Sequence, residues 1–326
     1  MTVIVTGAAG FIGYHVSRAL LERGDAVVGL DDLNDYYDPT LKQARLAELE
    51  KISGFRFHKL DISDREAMPA LFEAEPEVDR VIHLAAQAGV RYSLINPYAY
   101  IEANVLGHLV VMEACRRLPK LRHLVYASSS SVYGGNTVMP FSVEDRVDNP
   151  VSLYAATKRA NELESACYAH LYRMPMTGLR FFTVYGPWGR PDMSAYIFTK
   201  AIFEGSPIQV FNQGQMKRDF TYIDDITAGV LAALDRPPSD EGGAPPHRIY
   251  NLGNHRSEEL MRFIGLIEEA CGREANKIMA EMQPGDVPET YADIAAAQRD
   301  LGFEPRTPID VGLPRFVEWF RNYHGL

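Results

Sequence analysis

An apolar run stops at three glycines spaced three apart, and that junction constrains the fold more than any other feature of the chain. Residues 2–6 (Thr-Val-Ile-Val-Thr) read as a buried strand; Gly7, Gly10 and Gly13 follow at once, with Phe11 and Ile12 opening a helical pattern. Gly7 permits the tight turn, Gly10 lets a pyrophosphate come up to the backbone, and Gly13 lets helix and strand touch. The helix start then offers unpaired N–H groups and a partial positive charge to an anion. Asp31 ends the second apolar run, where a carboxylate accepts from ribose hydroxyls and repels a 2′-phosphate. No arginine follows in Asp31-Asp32-Leu33-Asn34, so the sequence predicts NAD over NADP.

The first half repeats this alternation. Strands are expected at 2–6, 26–30, 55–60, 79–84, 122–127 and 176–181, and helices at 11–23, 40–51, 64–74, 97–117 and 152–173. Runs of Val, Ile and Leu separated by helical patterns predict a parallel sheet covered on both faces, the doubly wound α/β arrangement of the Rossmann type. After residue 181, Gly, Pro and aromatics become frequent, as in Tyr185-Gly186-Pro187-Trp188-Gly189-Arg190-Pro191, and 236–247 reads as a loop. Two further helical patterns lie at 257–271 and 308–323. The expected organisation is a cofactor domain over 1–180, with part of 213–250 returning to it, and a smaller mixed α/β substrate lobe over 181–326.

A chain of 326 residues with 46% hydrophobic and 23% charged residues suits a globular protein of two lobes. The net charge of −10 and the absence of a basic run argue against a nucleic-acid partner. No apolar stretch approaches the ~18 residues that span a bilayer, and the first strand begins at residue 2, leaving no room for a signal peptide. Cys115, Cys167 and Cys271 are scattered, odd in number and without metal-ligand spacing; buried thiols in a reducing cytoplasm are expected, and no metal.

Tyr154 and Lys158 stand four apart, on one face of a helix, and the hydroxyl run Ser128–Ser131 lies upstream. Tyrosine ordinarily titrates near 10. A neighbouring ammonium and an oxidised nicotinamide both favour the phenolate, and about 4 kcal/mol of preferential stabilisation brings it to neutrality. Tyr154 then takes a hydroxyl proton as hydride leaves the same carbon, with Ser129 bonded to that hydroxyl and Lys158 on the nicotinamide ribose. The serines read equally as a hydroxyl-rich strand-to-loop turn. Asp61 and Ile62 flank the adenine, or Asp61 caps the helix 64–74. Leu84, Ala85 and Ala86 bring backbone close to the cofactor, whereas His83 reads as a packed strand-end residue.

Taken together, these motifs resemble the extended short-chain dehydrogenase/reductase family, and within it the nucleotide-sugar epimerases and dehydratases. The resemblance runs through Thr-Gly-x-x-Gly-x-x-Gly at 6–13, His83-Leu84-Ala85-Ala86, Asn104, Ser129 before Val132-Tyr133-Gly134, and Tyr154 with Lys158. The segments 88–93, 186–193 and 218–226 look like the UDP-glucuronate 4-epimerases in particular. The resemblance implies NAD as cofactor, with Asn34 and Asn104 added to its site and Ser129, Tyr154 and Lys158 as the catalytic set. It implies a UDP-sugar held by Arg91, Ser93, Ser130, Ser131, Thr183, Arg190, Phe211, Asn212, Arg218 and Asp286. Arg218 takes the pyrophosphate arginine's place, Phe211 and Asn212 the stretch around the uracil, and Asp286 that of an acid near the ribose. Thr183 replaces an asparagine of the galactose epimerases, and Gln283 replaces an arginine.

Family members all begin with oxidation at C4 of the sugar. Dehydratases carry Asp-Glu after the catalytic Thr, where this chain has Ser130 and Ser131; UDP-xylose-forming decarboxylases carry a glutamate where it has Ser131. Epimerisation remains, UDP-glucuronate to UDP-galacturonate, by turnover of a 4-keto ring. UDP-xylose/UDP-arabinose and UDP-glucose/UDP-galactose are the alternatives within the class, and a non-catalytic NAD-sensing protein the alternative outside it. Ser130, Ser131 and Thr183 offer neutral donors to a 5-carboxylate; Arg190 serves it too, or is a loop arginine on a structural carboxylate. The resemblance further implies a role in surface polysaccharide synthesis and a homodimer through helices 97–117 and 152–173, although their apolar residues would also suit burial against the sheet.

Overall fold

The computed structural model describes residues 1–240, 242–282 and 287–326. Seven strands form one parallel sheet. Across it the order is His247–Leu252, Met176–Phe181, His123–Ser129, Arg80–His83, Thr2–Thr6, Ala26–Asp31, Phe55–Lys59. The central strands are apolar at successive positions because both faces are covered. Val3, Val5, Val27, Ile82 and Val125 point into one core cluster; Ile4, Val28, Val81, Leu124 and Tyr126 point into the other. Phe55–Lys59 lies at the sheet edge, and none of its residues is fully buried. The doubly wound expectation is therefore met, and the edge strand His247–Leu252 pairs with Met176–Phe181.

Helix Phe11–Glu22 packs Tyr14, Val16, Leu20 and Leu21 into the first cluster, while Met68, Phe72, Val110, Val111 and Ala169 cover the second face. The expected helix 64–74 starts later, as Ala67–Ala74. The expected helix 97–117 is not uniform: Pro97–Tyr100 and Gly107–Cys115 are α-helical and Ile101–Leu106 between them is a π-turn. The strand expected at 122–127 runs on to Ser129, so Ser128 and Ser129 belong to the sheet and not to a turn. Cys167 is exposed, against the expectation of buried thiols; Cys115 and Cys271 are buried, and all three are free. Among the described residues, no helix is long and apolar enough to cross a membrane.

Three small sheets build the surface opposite the strand ends. Thr183–Tyr185 pairs with Phe220–Tyr222, Pro207–Val210 with Asn276–Met279, and Lys217–Arg218 with both Glu258–Glu259 and Glu289–Thr290. Asp219, fully buried, knots these pieces together. It accepts from the N–H of Asn254 at 2.6 Å, the N–H of Ala292 at 3.1 Å and the Thr221 hydroxyl at 3.0 Å. Burial pushes its carboxyl up to about 6 against these donors.

Helix Leu153–Tyr172 is fastened to the sheet by a buried ion pair. Glu162 takes two bonds from Arg180, at 2.8 and 3.0 Å, and a third from the Ser128 hydroxyl at 2.7 Å. Ser128 and Arg180 are partners in register on adjacent strands. Burial works against the charge, yet the guanidinium holds the Glu162 carboxyl below its usual range. Removing one partner strands the other's charge in the core. Glu162→Ala should therefore cost about 3–5 kcal/mol in urea unfolding, and a loss below about 1 kcal/mol would contradict this account of the pair.

Candidate active site

A cleft of about 1150 Å³ opens at the carboxyl ends of the strands, where Thr2–Thr6 lies between Ala26–Asp31 and Arg80–His83 and the chain order reverses. Gly7, Gly10, Phe11, Ile12 and Gly13 line one wall. Gly7 sits at φ +72°, and a Cβ there would stand 2.8 Å from the Ala85 nitrogen; a Cβ on Gly13 would stand 1.9 Å from the Gly7 oxygen. The motif is thus a steric requirement, and it leaves bare backbone and a helix start facing the cleft, which fits a dinucleotide pyrophosphate.

Asp31 ends its strand at the rim, accepting the Leu33 N–H at 2.9 Å. Burial pushes its carboxyl up, and Lys42, with Nζ 3.7 Å away, pulls the other way. Lys42 also donates to Asn34 Oδ1 at 3.0 Å. Sequence reading looked for an arginine directly after Asp31 and passed over this lysine, which comes back from the next helix. Asn34, Asp61, Ile62, Leu84, Ala85 and Ala86 all line the cleft as expected. Asp61 does not cap the helix: it holds Ser63 through N–H and hydroxyl, both at 2.8 Å, and Asp64 accepts the N–H groups of Glu66 and Ala67. His83 is buried, bonded to the Thr6 hydroxyl at 2.7 Å, and burial lowers it to about 3.

Asn104 requires a correction. It is buried behind the wall and absent from the lining. Its Oδ1 accepts the Gln87 N–H at 2.8 Å, and its Nδ2 donates to Gln87 O at 3.0 Å and to Thr157 Oγ1 at 3.1 Å. Its own carbonyl, released by the π-turn, accepts from Asn161 Nδ2 at 2.7 Å. Asn104 therefore fastens the strand-end loop to the helix that carries Tyr154.

Tyr154, Lys158 and Ser129 meet in the cleft. Ser129 Oγ accepts the Ser131 N–H at 3.1 Å, which leaves its hydrogen available to the Tyr154 oxygen, whose ionised form it favours. The protein's own groups do not lower Tyr154. Burial pushes the phenol up, Ser129 and Arg190 oppose that, and Lys158 is not among the influences. Lys158 instead donates to Ala127 O at 2.9 Å, and burial brings it down to about 8.

At the other end Arg91, Ser130, Ser131, Thr183, Arg190, Phe211 and Arg218 line the cleft. Arg91 lies over the Phe211 ring, 4.8 Å from its centroid. The Ser131 hydroxyl oxygen is buried and, among the described residues, has no hydrogen-bond partner. Ser93 and Asn212 do not join the lining: Ser93 is buried and donates to Val90 O at 2.6 Å, and Asn212 turns its amide to Gln215 O at 2.7 Å. Asp286 and Gln283 lie outside the described residues. Arg190 grips Asp192 with two bonds, at 3.0 and 2.5 Å, and Asp192 also accepts from the Tyr36 hydroxyl at 3.1 Å. The loop-carboxylate alternative for Arg190 thus holds, while its guanidinium still borders the cleft. Gln87, Tyr36 and Asp192 were missed because nothing in their spacing marks them.

Burial accounts for the lowered lysine, which yields a direct test. Labelled with ¹³C at Cε, Lys158 should titrate near pH 8 in the ligand-free protein; a midpoint above 10 would contradict its desolvation.

Comparison with known proteins agrees with this geometry. The model of the NAD dependent epimerase/dehydratase family matches residues 3–253. UDP-glucuronate 4-epimerase 4 of Arabidopsis thaliana is 48% identical, over 99% of this chain and 76% of its own. A probable UDP-glucuronate 4-epimerase of Rhizobium meliloti is 46% identical, over 99% and 98%. The crystal structure of UDP-glucuronic acid 4-epimerase from Bacillus cereus, in complex with UDP-glucuronic acid and NAD, superposes with a TM-score of 0.89 at 34% identity, over 99% of this chain and all of that one. With the match running from the first strand of the sheet past the last, the chain belongs to the NAD dependent epimerase/dehydratase family.

Proposed function

We propose that the protein interconverts UDP-glucuronate and UDP-galacturonate as an NAD-dependent 4-epimerase. One observation carries the reading: Tyr154 and Ser129 line the same cleft as Ser130 and Ser131, positions that hold hydroxyls and no acid or base. A ketone formed at C4 then finds no group to drive dehydration or decarboxylation. The relatives named above are 4-epimerases of UDP-glucuronate by name, which supports the same substrate here.

NAD supplies reversible hydride acceptance at C4 when bound. Tyr154 takes the 4-hydroxyl proton and Ser129 holds that oxygen; on the return the same pair gives the proton back to the C4 oxygen while hydride comes back to the other face of the ring. Lys158, pinned by Ala127 O, presents a cation at the ribose side of the cleft. Asp31 and Asn34 receive the adenosine ribose. Arg218 receives the diphosphate and Arg91 and Phe211 flank the uracil. Residues 1–180 with part of 213–250 form the cofactor half in this reading, and 181–326 mainly the sugar-nucleotide lobe.

The 5-carboxylate meets hydroxyls. Ser131 offers a desolvated, unpaired donor, with Ser130 and Thr183 on the same wall. Neutral donors orient the carboxylate without drawing electrons toward CO₂ loss, and Arg190, already matched by Asp192, adds little net charge. We also propose a cytoplasmic homodimer. Leu94, Ile95, Tyr98 and Ile101 at the head of one helix, and Leu163, Leu171 and Tyr172 on Leu153–Tyr172, are exposed apolar groups that a second copy would cover.

Incubated without added NAD, the purified protein should convert UDP-glucuronate to UDP-galacturonate, followed by NMR, with no UDP-xylose or 4-keto pentose. Turnover of UDP-glucose or UDP-xylose alone would overturn the substrate assignment. Tyr154→Phe should lower kcat by roughly 10²–10⁴-fold while UDP-glucuronate still binds. Ser131→Ala should raise KM for UDP-glucuronate roughly tenfold or more, as expected for a lost bond to a charged group, and leave UDP-glucose binding unaltered; equal effects on both sugars would remove Ser131 from the carboxylate site.

A further inference from the structure

The Arg45 side chain, from helix Thr40–Leu49, is fully buried directly behind the glycine turn. All five of its N–H donors are used, and every acceptor is neutral. Nε donates to Trp188 O at 3.1 Å and Nη2 to the same oxygen at 2.6 Å and to Gly189 O at 3.4 Å. Nη1 donates to Ala9 O at 3.0 Å and to the Tyr37 hydroxyl at 2.9 Å. Among the described residues no carboxylate pairs with it. The neighbouring cation is matched otherwise: Lys42 faces Asp31 at 3.7 Å and Asp32 at 3.9 Å.

A buried guanidinium without a counter-ion is costly to keep. Its location suggests what offsets the cost. Ala9 lies between Gly7 and Gly10, so the charge stands one residue behind the surface where a dianionic pyrophosphate is received. The same group reaches across to the loop that follows Thr183–Tyr185. There Trp188 holds φ +64°, outside ordinary backbone geometry, with its carbonyl on Arg45 and its ring against Tyr14. His15, from the helix that starts at the turn, meets Pro187 O at 2.9 Å, and at the loop's far end Tyr36 donates to Asp192. One side chain thus ties the phosphate turn, the Tyr37 segment and the 186–193 loop into one unit, and from that loop Arg190, Asp192 and Met193 reach the cleft.

We infer that Arg45 is a positioning residue that locks this loop over the bound dinucleotide, its unpaired charge being matched by the cofactor's pyrophosphate, so that release of NAD requires the loop to detach. Affinity and enclosure then share one origin. The inference rests on the cofactor assignment and not on the choice of sugar, so failure of the UDP-glucuronate assay leaves it standing.

The test reads NAD and not turnover. Wild type, Arg45→Lys, Arg45→Met and Tyr36→Phe are purified with their resident NAD, and exchange against ¹⁴C-labelled NAD gives the dissociation rate, with circular dichroism to establish folding. Proteolysis of the 186–193 loop is followed in parallel, with and without NAD. The expected result is release at least tenfold faster in Arg45→Met, an intermediate rate in Arg45→Lys, which keeps the charge but has three donors where arginine has a planar fork of five, and a several-fold increase in Tyr36→Phe. NAD should protect the loop in wild type and lose that effect in Arg45→Met. A folded Arg45→Met that exchanges NAD at the wild-type rate overturns the inference. If Arg45→Met does not fold, wild-type rates in both Arg45→Lys and Tyr36→Phe overturn it equally, as does a wild type that binds no NAD.

Discussion

Everything in the cleft is referred to one backbone contact. The carbonyl of Gly7 fills the space that a side chain on Gly13 would need, so the first helix lies directly on the end of the first strand. That contact aims the helix start into the crevice where the sheet's chain order reverses. Ala85 is held against the same turn by the Thr6 hydroxyl, which accepts its N–H at 3.1 Å. Asp31 arrives on the next strand, in register with Lys59 beyond it. Arg45 closes the turn from behind. A methyl group at the contact would press the first helix off the strand end and disturb the turn that Ala85 and Arg45 pack against.

The reacting groups pay for their dryness in a second layer of polar contacts. Tyr154 is pushed up and Lys158 down by burial, each away from its charged form. Beneath them a continuous network keeps the geometry: Glu162 joins Ser128 to Arg180, Arg180 reaches the Tyr133 hydroxyl at 3.0 Å, and Tyr133 donates to Asn251 Oδ1 at 2.7 Å. Asn251 in turn donates to Phe141 O and Asp293 O. The strand with Ser129, the helix with Tyr154 and Lys158, and the last strand of the sheet are thereby held in one frame. Such a frame suits a reaction that must take a proton from the C4 oxygen and return it there whichever face of that carbon receives the hydride.

Legibility in the sequence followed the range of the interaction. Val3-Ile4-Val5 and Gly7–Gly13 declare a local geometry, and the strand, turn and helix all appear where they were expected. Ser129, Tyr154 and Lys158 converge because a helix period and a strand end bring them together. Asn104 was less legible for the opposite reason: its place, buried and off the cleft lining, lies in a π-turn that no pattern announces. Ser93 looked like a ligand by neighbourhood, but its hydroxyl satisfies a carbonyl three residues back. Lys42, Tyr36 and Arg45 act on the turn from a separate helix and loop, at separations that single-sequence spacing does not reveal. Arg190 was legible as either of two things, and the structure places it on Asp192 at the edge of the cleft.

The central claim is that one enclosed cleft removes hydride from C4 of the sugar and returns it to that same carbon. UDP-glucuronate deuterated at C4, converted in ordinary water with unlabelled NAD in excess, tests it most directly. The account predicts UDP-galacturonate that retains deuterium at C4, with none in the free NAD pool and no solvent hydrogen entering at C5. Loss of the C4 label to solvent or to free cofactor, or exchange at C5, would contradict it.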